Sequence, residues 1–215
     1  MLDPKEPMGI FLTIVMVLLS IGIHEFAHAK VADSAGDPTP RAHGRVTLNI
    51  FNHIDPIGGI MIVLMTMSGY GIGWGRPVPM DPGRMRNPRW DHFAAVAAGP
   101  ISNLIQAGVY AIIYRSLLIF NINPGPAVLF FILIGVLVNV GLFLFNLIPL
   151  GPLDGMWLLS AFLHGPSRIS WIRWNLTMGS FALLGIILIS QVANVNLLGY
   201  ILGPVREQLT QLLLG

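Results

Sequence analysis

The sequence predicts an all-α polytopic membrane protein. It has about four full transmembrane helices, with a re-entrant or membrane-surface segment and a small β element between the first and second full spans. Three observations predict it. Only 10% of the 215 residues are charged and 54% are hydrophobic, whereas a soluble domain carries about a quarter charged residues. Five long apolar runs, 9–32, 57–73, 92–120, 126–150 and 171–201, are separated by polar stretches. A hydrocarbon core about 30 Å thick takes roughly 20 helical residues, so four of these runs are long enough to cross. Run 57–73, which opens with Gly58-Gly59, is marginal.

The elements follow in chain order. The first run lacks the basic flank of a cleaved signal peptide, because Asp3 and Glu6 offset Lys5, and it carries three ionisable residues; it is expected to remain as a span. It ends at the breaker cluster 33–38. Val46–Ile50 alternates apolar and polar residues and predicts a short strand. Asp55-Pro56 turns the chain into run 57–73. The stretch 74–79 is extended by Pro77 and Pro79, which restrict it to an edge strand. The long helix from Asp91 places Ala95, Gly99, Asn103 and Ala107 at four-residue spacing, a small-residue stripe for close helix contact that carries one amide. Run 126–150 breaks where Pro149, Gly151 and Pro152 arrive. In the last span, 171–201, Trp171 and Trp174 suit the membrane interface, and an amphipathic tail covers 204–215. The whole chain, 1–215, reads as one membrane-embedded domain with its core at 9–160.

A net charge of +2 reflects basic loops rather than nucleic-acid binding. There is no cysteine, so disulfides and thiolate metal sites are excluded, and any metal must use His, Asp, Glu or backbone oxygen.

The sharpest local pattern is His24-Glu25-Phe26-Ala27-His28. Residues four apart on a helix differ by about 40° around the axis and about 6 Å along it, so both imidazoles can meet one ion, with Glu25 alongside to take a proton from water. Three ionisable side chains inside a span cost roughly 2–3 kcal/mol or more each unless partnered. Zinc in a catalytic site wants three protein ligands and an open position. Asp33 and Asp37 follow the same helix too closely; Asp3, Glu6 and Glu207 lie in the termini; Asp55, Asp81 and Asp91 lie in polar loops. Asp154 is left, just past the 126–150 run, where proline and glycine free the backbone. It can reach the histidines only if its preceding helix runs parallel to the first one, which requires an odd number of crossings between them. With 57–73 not crossing, nine of the twelve Lys and Arg residues fall on one side, leaving Lys5, Arg115 and Arg206 opposite. The positive-inside bias then puts the metal toward the cytoplasm.

These residues resemble the site-2 protease family of intramembrane zinc metalloproteases, in its compact prokaryotic form without PDZ or CBS modules. The resemblance rests on 24–28, on Gly99-Pro100-Ile101-Ser102-Asn103, and on Asn146…Pro149…Leu153-Asp154-Gly155, with supporting stretches at 53–58 and 74–79; it covers roughly residues 9–160. It implies one zinc ion held by His24, His28 and Asp154, with Glu25 as general base and acid. It also implies that Asn103 and Asn146 bind substrate or stabilise the oxyanion. The expected partners are the lipid bilayer and a transmembrane protein or peptide, and the expected location is a prokaryotic cell membrane. Two other classes stand beside it. A catalytically silent metal-binding scaffold or transporter would not need Glu25. A di-iron oxidase would need more histidine clusters than six histidines with one paired motif provide. His43 and His164 read as solvated loop residues and His92 as a helix-start residue. His53, beside Asp55, is open to an access or ligand-supporting role.

Overall fold

The computed structural model describes residues 2–69, 71, 73–193 and 195–215. The helices in chain order are α1 (Pro7–Ser34), α2 (Thr39–Ala42), α3 (Pro56–Ser68), α4 (Trp90–Ile119), α5 (Pro126–Asn146), α6 (Asp154–Ser160), α7 (Gly165–Trp174), α8 (Ser180–Val192) and α9 (Leu197–Leu214). A π turn, Asn175–Gly179, joins α7 to α8 without a break. Proline opens α1, α3, α5 and α7 in the first turn, where its missing N–H costs nothing and its φ suits the helix.

Four helices are long and apolar enough to cross a membrane: α1, α4, α5 and the continuous Gly165–Val192 rod. Helix α3 is apolar but has 13 residues, roughly 20 Å at 1.5 Å per residue, short of a hydrocarbon core about 30 Å thick. Asp55 caps its start by accepting from Gly58 N at 2.8 Å. The chain then folds back, so that a Cβ at Gly73 would lie 2.2 Å from Ile62.

Helix directions follow from paired residues. His28 meets Ala95, and Ser20 meets Asn103, so α1 and α4 are antiparallel. Met16 approaches Gly135, and Val17 and Ile21 pack with Val138 and Leu142, so α1 and α5 are parallel. Since α3 is too short to cross, one full crossing, α4, separates them, as the charge distribution requires. Ala107, Ala111, Val136, Val140 and Leu144 form the core between α4 and α5.

Two expectations are corrected. Among the described residues there is no β element beyond a single antiparallel bridge, Ile54 to Gly75. Val46–Ile50 is not a strand, because Thr47 and Asn49 use their side chains locally. Asn49 N donates to Thr47 Oγ1 at 3.1 Å, and Phe51 N to Asn49 Oδ1 at 3.2 Å, which starts a 3-10 turn at Ile50–Asn52. The stretch 74–79 is extended, but its prolines remove ladder donors. The last span ends at Val192 rather than near 201, because Asn196 caps a new helix by accepting from Gly199 N at 2.8 Å. Helix α9 absorbs the expected tail and lays Leu202, Leu209, Leu213 and Leu214 on the α4–α5 core.

Candidate metal centre

His24 and His28 lie on the buried face of α1, against α4. Gly99 makes room for them: a Cβ there would stand 2.2 Å from His28 Nε2 and 2.7 Å from His24 Cε1. No other residue fits without moving the rings. From α4, Ala95 O accepts a hydrogen bond from His28 Nδ1 at 2.8 Å. His24 Nδ1 donates to Asn103 Oδ1 at 2.7 Å.

The polarity of this last bond is set by a chain of amides. Gly135 O can only accept, so Asn139 donates to it from Nδ2 at 2.9 Å. Asn139 Oδ1 then accepts from Asn103 Nδ2 at 2.9 Å, which leaves Asn103 Oδ1 for the imidazole. Both histidines therefore carry their proton on Nδ1 and present a bare Nε2 lone pair inward. The third group is Asp154, the first residue of α6. Its Oδ2 lies 3.2 Å from His24 Nε2 and 3.4 Å from His28 Nε2, and the two Nε2 atoms are 3.0 Å apart.

Three acceptors thus face one another, and buried Asp154 Oδ2 has no hydrogen bond. Only positive charge between them makes the arrangement favourable. Two donors about 2.0–2.1 Å from a tetrahedral zinc ion lie roughly 3.3–3.4 Å apart, so edges of 3.0, 3.2 and 3.4 Å fit that ion.

The loop carrying Asp154 is clasped by the last span. Asn175, in the π turn, accepts from Gly151 N at 2.8 Å, and Trp171 donates its indole N–H to Met156 O at 2.9 Å. Arg89, at the start of α4, donates to Ala161 O at 2.6 Å. Trp171 is therefore a structural donor.

Glu25 is half-buried, and its Oε1 faces the extended stretch: a Cβ at Gly75 would lie 3.2 Å from it and 2.6 Å from Ile21 Cγ2. That stretch is held by polar pins. Arg76 N donates to His53 O at 2.7 Å. Buried Arg45 donates through NH1 to Pro77 O and through NH2 to Arg76 O. Burial lowers the Arg45 guanidinium pKa, and the facing Glu25 charge opposes that shift. His53 is fully buried and donates from Nε2 to Thr47 O at 2.8 Å, and burial pushes its imidazole down. Asp37, also fully buried, accepts from Thr39 N and Asp81 N at 3.0 and 2.7 Å. Burial would raise its carboxyl, and these donors bring it below its ordinary value.

The residues proposed from sequence thus separate. His24, His28 and Asp154 converge, with Glu25 next along α1. Asn103 has both ends of its amide committed to His24 and Asn139, on the far side of the His24 ring from Nε2. Asn146 donates back to Leu142 O at 2.9 Å in the last turn of α5. Sequence reasoning missed Asn139, Asn175, Arg45 and Gly75. The first two carry a usable signal, since an amide inside an apolar run needs a partner.

No family model and no solved structure matches the chain. Over 148 residues it is 38% identical to a protein of Bacillus subtilis (strain 168) described as "Putative zinc metalloprotease YwhC"; the match takes in 66% of this chain and 64% of that protein. This similarity supports a site-2 protease-like family for the chain. The chain spans just under two thirds of that relative's length. The similarity to a zinc metalloprotease fits zinc as the ion for a candidate site at His24, His28 and Asp154, a donor set of two imidazoles and a carboxylate. The four apolar helices fit a multi-pass membrane protein, and the Bacillus relative fits a bacterial origin.

Proposed function

We propose that this chain is an intramembrane zinc metalloprotease that hydrolyses peptide bonds within or beside transmembrane segments of other proteins. The observation that carries the reading is the triangle of bare donor atoms, 3.0–3.4 Å on each edge, set on spans and next to a carboxylate. Zinc bound there supplies Lewis-acid polarisation and lowers the pKa of water toward about 7. Glu25 accepts the proton released in hydrolysis and returns it to the leaving amine. Asn103 keeps His24 in the tautomer that presents Nε2, a positioning role in place of contact with substrate.

A helical peptide bond is shielded by its own hydrogen bonds, so the substrate must unwind before attack. The extended stretch supports pairing of the unwound strand. Gly75 N–H makes no hydrogen bond among the described residues, and Gly75 stands beside Glu25 Oε1. Strand addition along this edge would bring the substrate backbone to the carboxylate. The basic loop residues Arg41, Arg45, Arg76, Arg84 and Arg86 support a cytoplasmic position for the site.

The test compares purified wild type with Glu25→Gln on membrane-spanning peptides. Equal zinc content with cleavage by wild type alone is the expected result. Zinc in both with cleavage by neither would favour a metal-binding scaffold or transporter, and undiminished cleavage by Glu25→Gln would remove Glu25 from the chemistry.

A further inference from the structure

A cavity of about 430 Å³ lies among α1, α3, α5 and α8, walled by Val17, Ile21, Ile62, Leu142 and Ile187. That volume falls in the range of pockets that hold several groups at once. Ile21 is one turn before Glu25 on the same face of α1. It is also the side chain nearest the place where a Gly75 Cβ would stand, at 2.6 Å. Ile21 is therefore shared between the cavity wall and the extended edge, and the cavity lies one helical turn along α1 from Glu25.

Two residues on its wall say what enters. Ser190 Oγ lines the cavity and is buried without a hydrogen-bond partner. An acyl chain cannot satisfy a hydroxyl, and leaving it unpaired in apolar surroundings is costly. A locally unwound peptide brings backbone groups that themselves lack partners in lipid. Gly141 also lines the cavity, and a Cβ there would meet nothing within 4 Å.

We propose that this cavity receives the apolar side chains of the substrate stretch next to the cut bond, with Gly141 setting its depth and Ser190 pairing with unwound backbone. The inference rests on the proteolytic reading above. Its test uses two synthetic membrane-spanning peptides in phosphatidylcholine vesicles, one rich in leucine and one with those leucines replaced by alanine. Gly141→Phe fills the cavity from a position with open space, so zinc content should match wild type. The ratio of kcat/KM for the leucine peptide over the alanine peptide should fall by at least about tenfold. Because the chain has no cysteine, Gly141→Cys gives a binding readout that needs no cleavage. It should form a disulfide with a single-cysteine leucine peptide well above that of Ile112→Cys, an exposed position on α4.

Cleavage with an unchanged ratio and no enriched cross-link overturns the cavity assignment and leaves the protease reading standing. An enriched cross-link with no cleavage by wild type keeps the cavity as a site for apolar peptide and overturns the protease reading. Neither cross-link nor cleavage overturns both, and labelling by a photoreactive acyl chain that peptide cannot displace assigns the cavity to lipid.

Discussion

Gly99→Ala isolates the metal centre from the fold. The added methyl would stand 2.2 Å from His28 Nε2, 2.4 Å from His28 Cε1 and 2.7 Å from His24 Cε1, roughly 1 Å inside ordinary contact between such atoms. Helix propensity works the other way: alanine in place of glycine favours a helix interior by about 1 kcal/mol. The rings must give way, and they cannot do so without loosening the bonds to Ala95 O and Asn103. Metal–ligand distances tolerate about ±0.2 Å. Loss of one ligand-supporting hydrogen bond alone typically costs 10–100-fold in metal affinity, so the displacement should weaken zinc binding by at least about 100-fold, some 2.8 kcal/mol. The assay is zinc competition against a graded chelator series, with thermal unfolding of the metal-free protein run beside it. Gly108→Ala is the control, since a Cβ there meets nothing within 4 Å. Zinc affinity of Gly99→Ala within threefold of wild type would refute the reasoning, because the methyl would then have been absorbed elsewhere.

Asn103→Ala should weaken zinc by 10–100-fold while leaving the helices assembled, measured by the same competition and by circular dichroism; unchanged affinity would mean that His24 does not need its partner. Asp154→Ala should abolish stoichiometric zinc in the purified protein, and retention of one ion per chain would move the third ligand elsewhere. Asp37→Asn should cost roughly 1.5–3 kcal/mol near neutral pH, the worth of a hydrogen bond to a charged group. Because the folded carboxyl titrates below its ordinary value, that contribution is complete above about pH 4 and fades as pH falls through the folded value. The gap between wild-type and variant unfolding should therefore close on acidification, and a constant gap from pH 7 to pH 3 would remove Asp37 from that role.

The convergence of His24, His28 and Asp154 was legible because a membrane makes ionisable side chains expensive. His24 and His28 stand out inside an apolar run, and Asp154 stands where proline and glycine end one. The parallel course of α1 and α5 was legible too, since the Lys and Arg residues gather on one side, nine against three, only if 57–73 does not cross. Segment 46–50 was misread because alternation reports which face is apolar and is blind to Thr47 and Asn49 bonding their own neighbours. The clasp from Asn175 to Gly151 was out of reach for a related reason. It joins residues 24 apart through a π turn that no residue pattern marks. Asn103 was found for its place in the α4 stripe, but its task depends on a relay ending at Gly135 O, which only the packed helices reveal.

The centre and its rim are held by different forces. The candidate metal donors come from α1 and from the loop after α5, and α4 fixes their orientation through Ala95, Gly99 and Asn103. Each of these rests on helices packed along their length. The rim at 74–81 forms no sheet and reaches the core through Met80, which packs against Ala32, Ala35, Met85 and Ala95. It hangs on Arg45, His53 and Asp37, three buried polar residues whose hydrogen bonds reach across the loops to backbone atoms. Arg45 Nε and His53 Nδ1 remain unpaired there, so the rim is pinned at points rather than zipped. A metal site needs ligand positions held to tenths of an ångström, whereas an edge that pairs with unwound segments of varied sequence needs backbone groups left free. Arg45→Lys separates the two: an ammonium cannot span the Arg76 and Pro77 carbonyls as the guanidinium does. It should raise proteolytic nicking within 74–81 and raise KM while zinc affinity stays unchanged. A parallel loss of zinc would show that rim and centre are one mechanical unit.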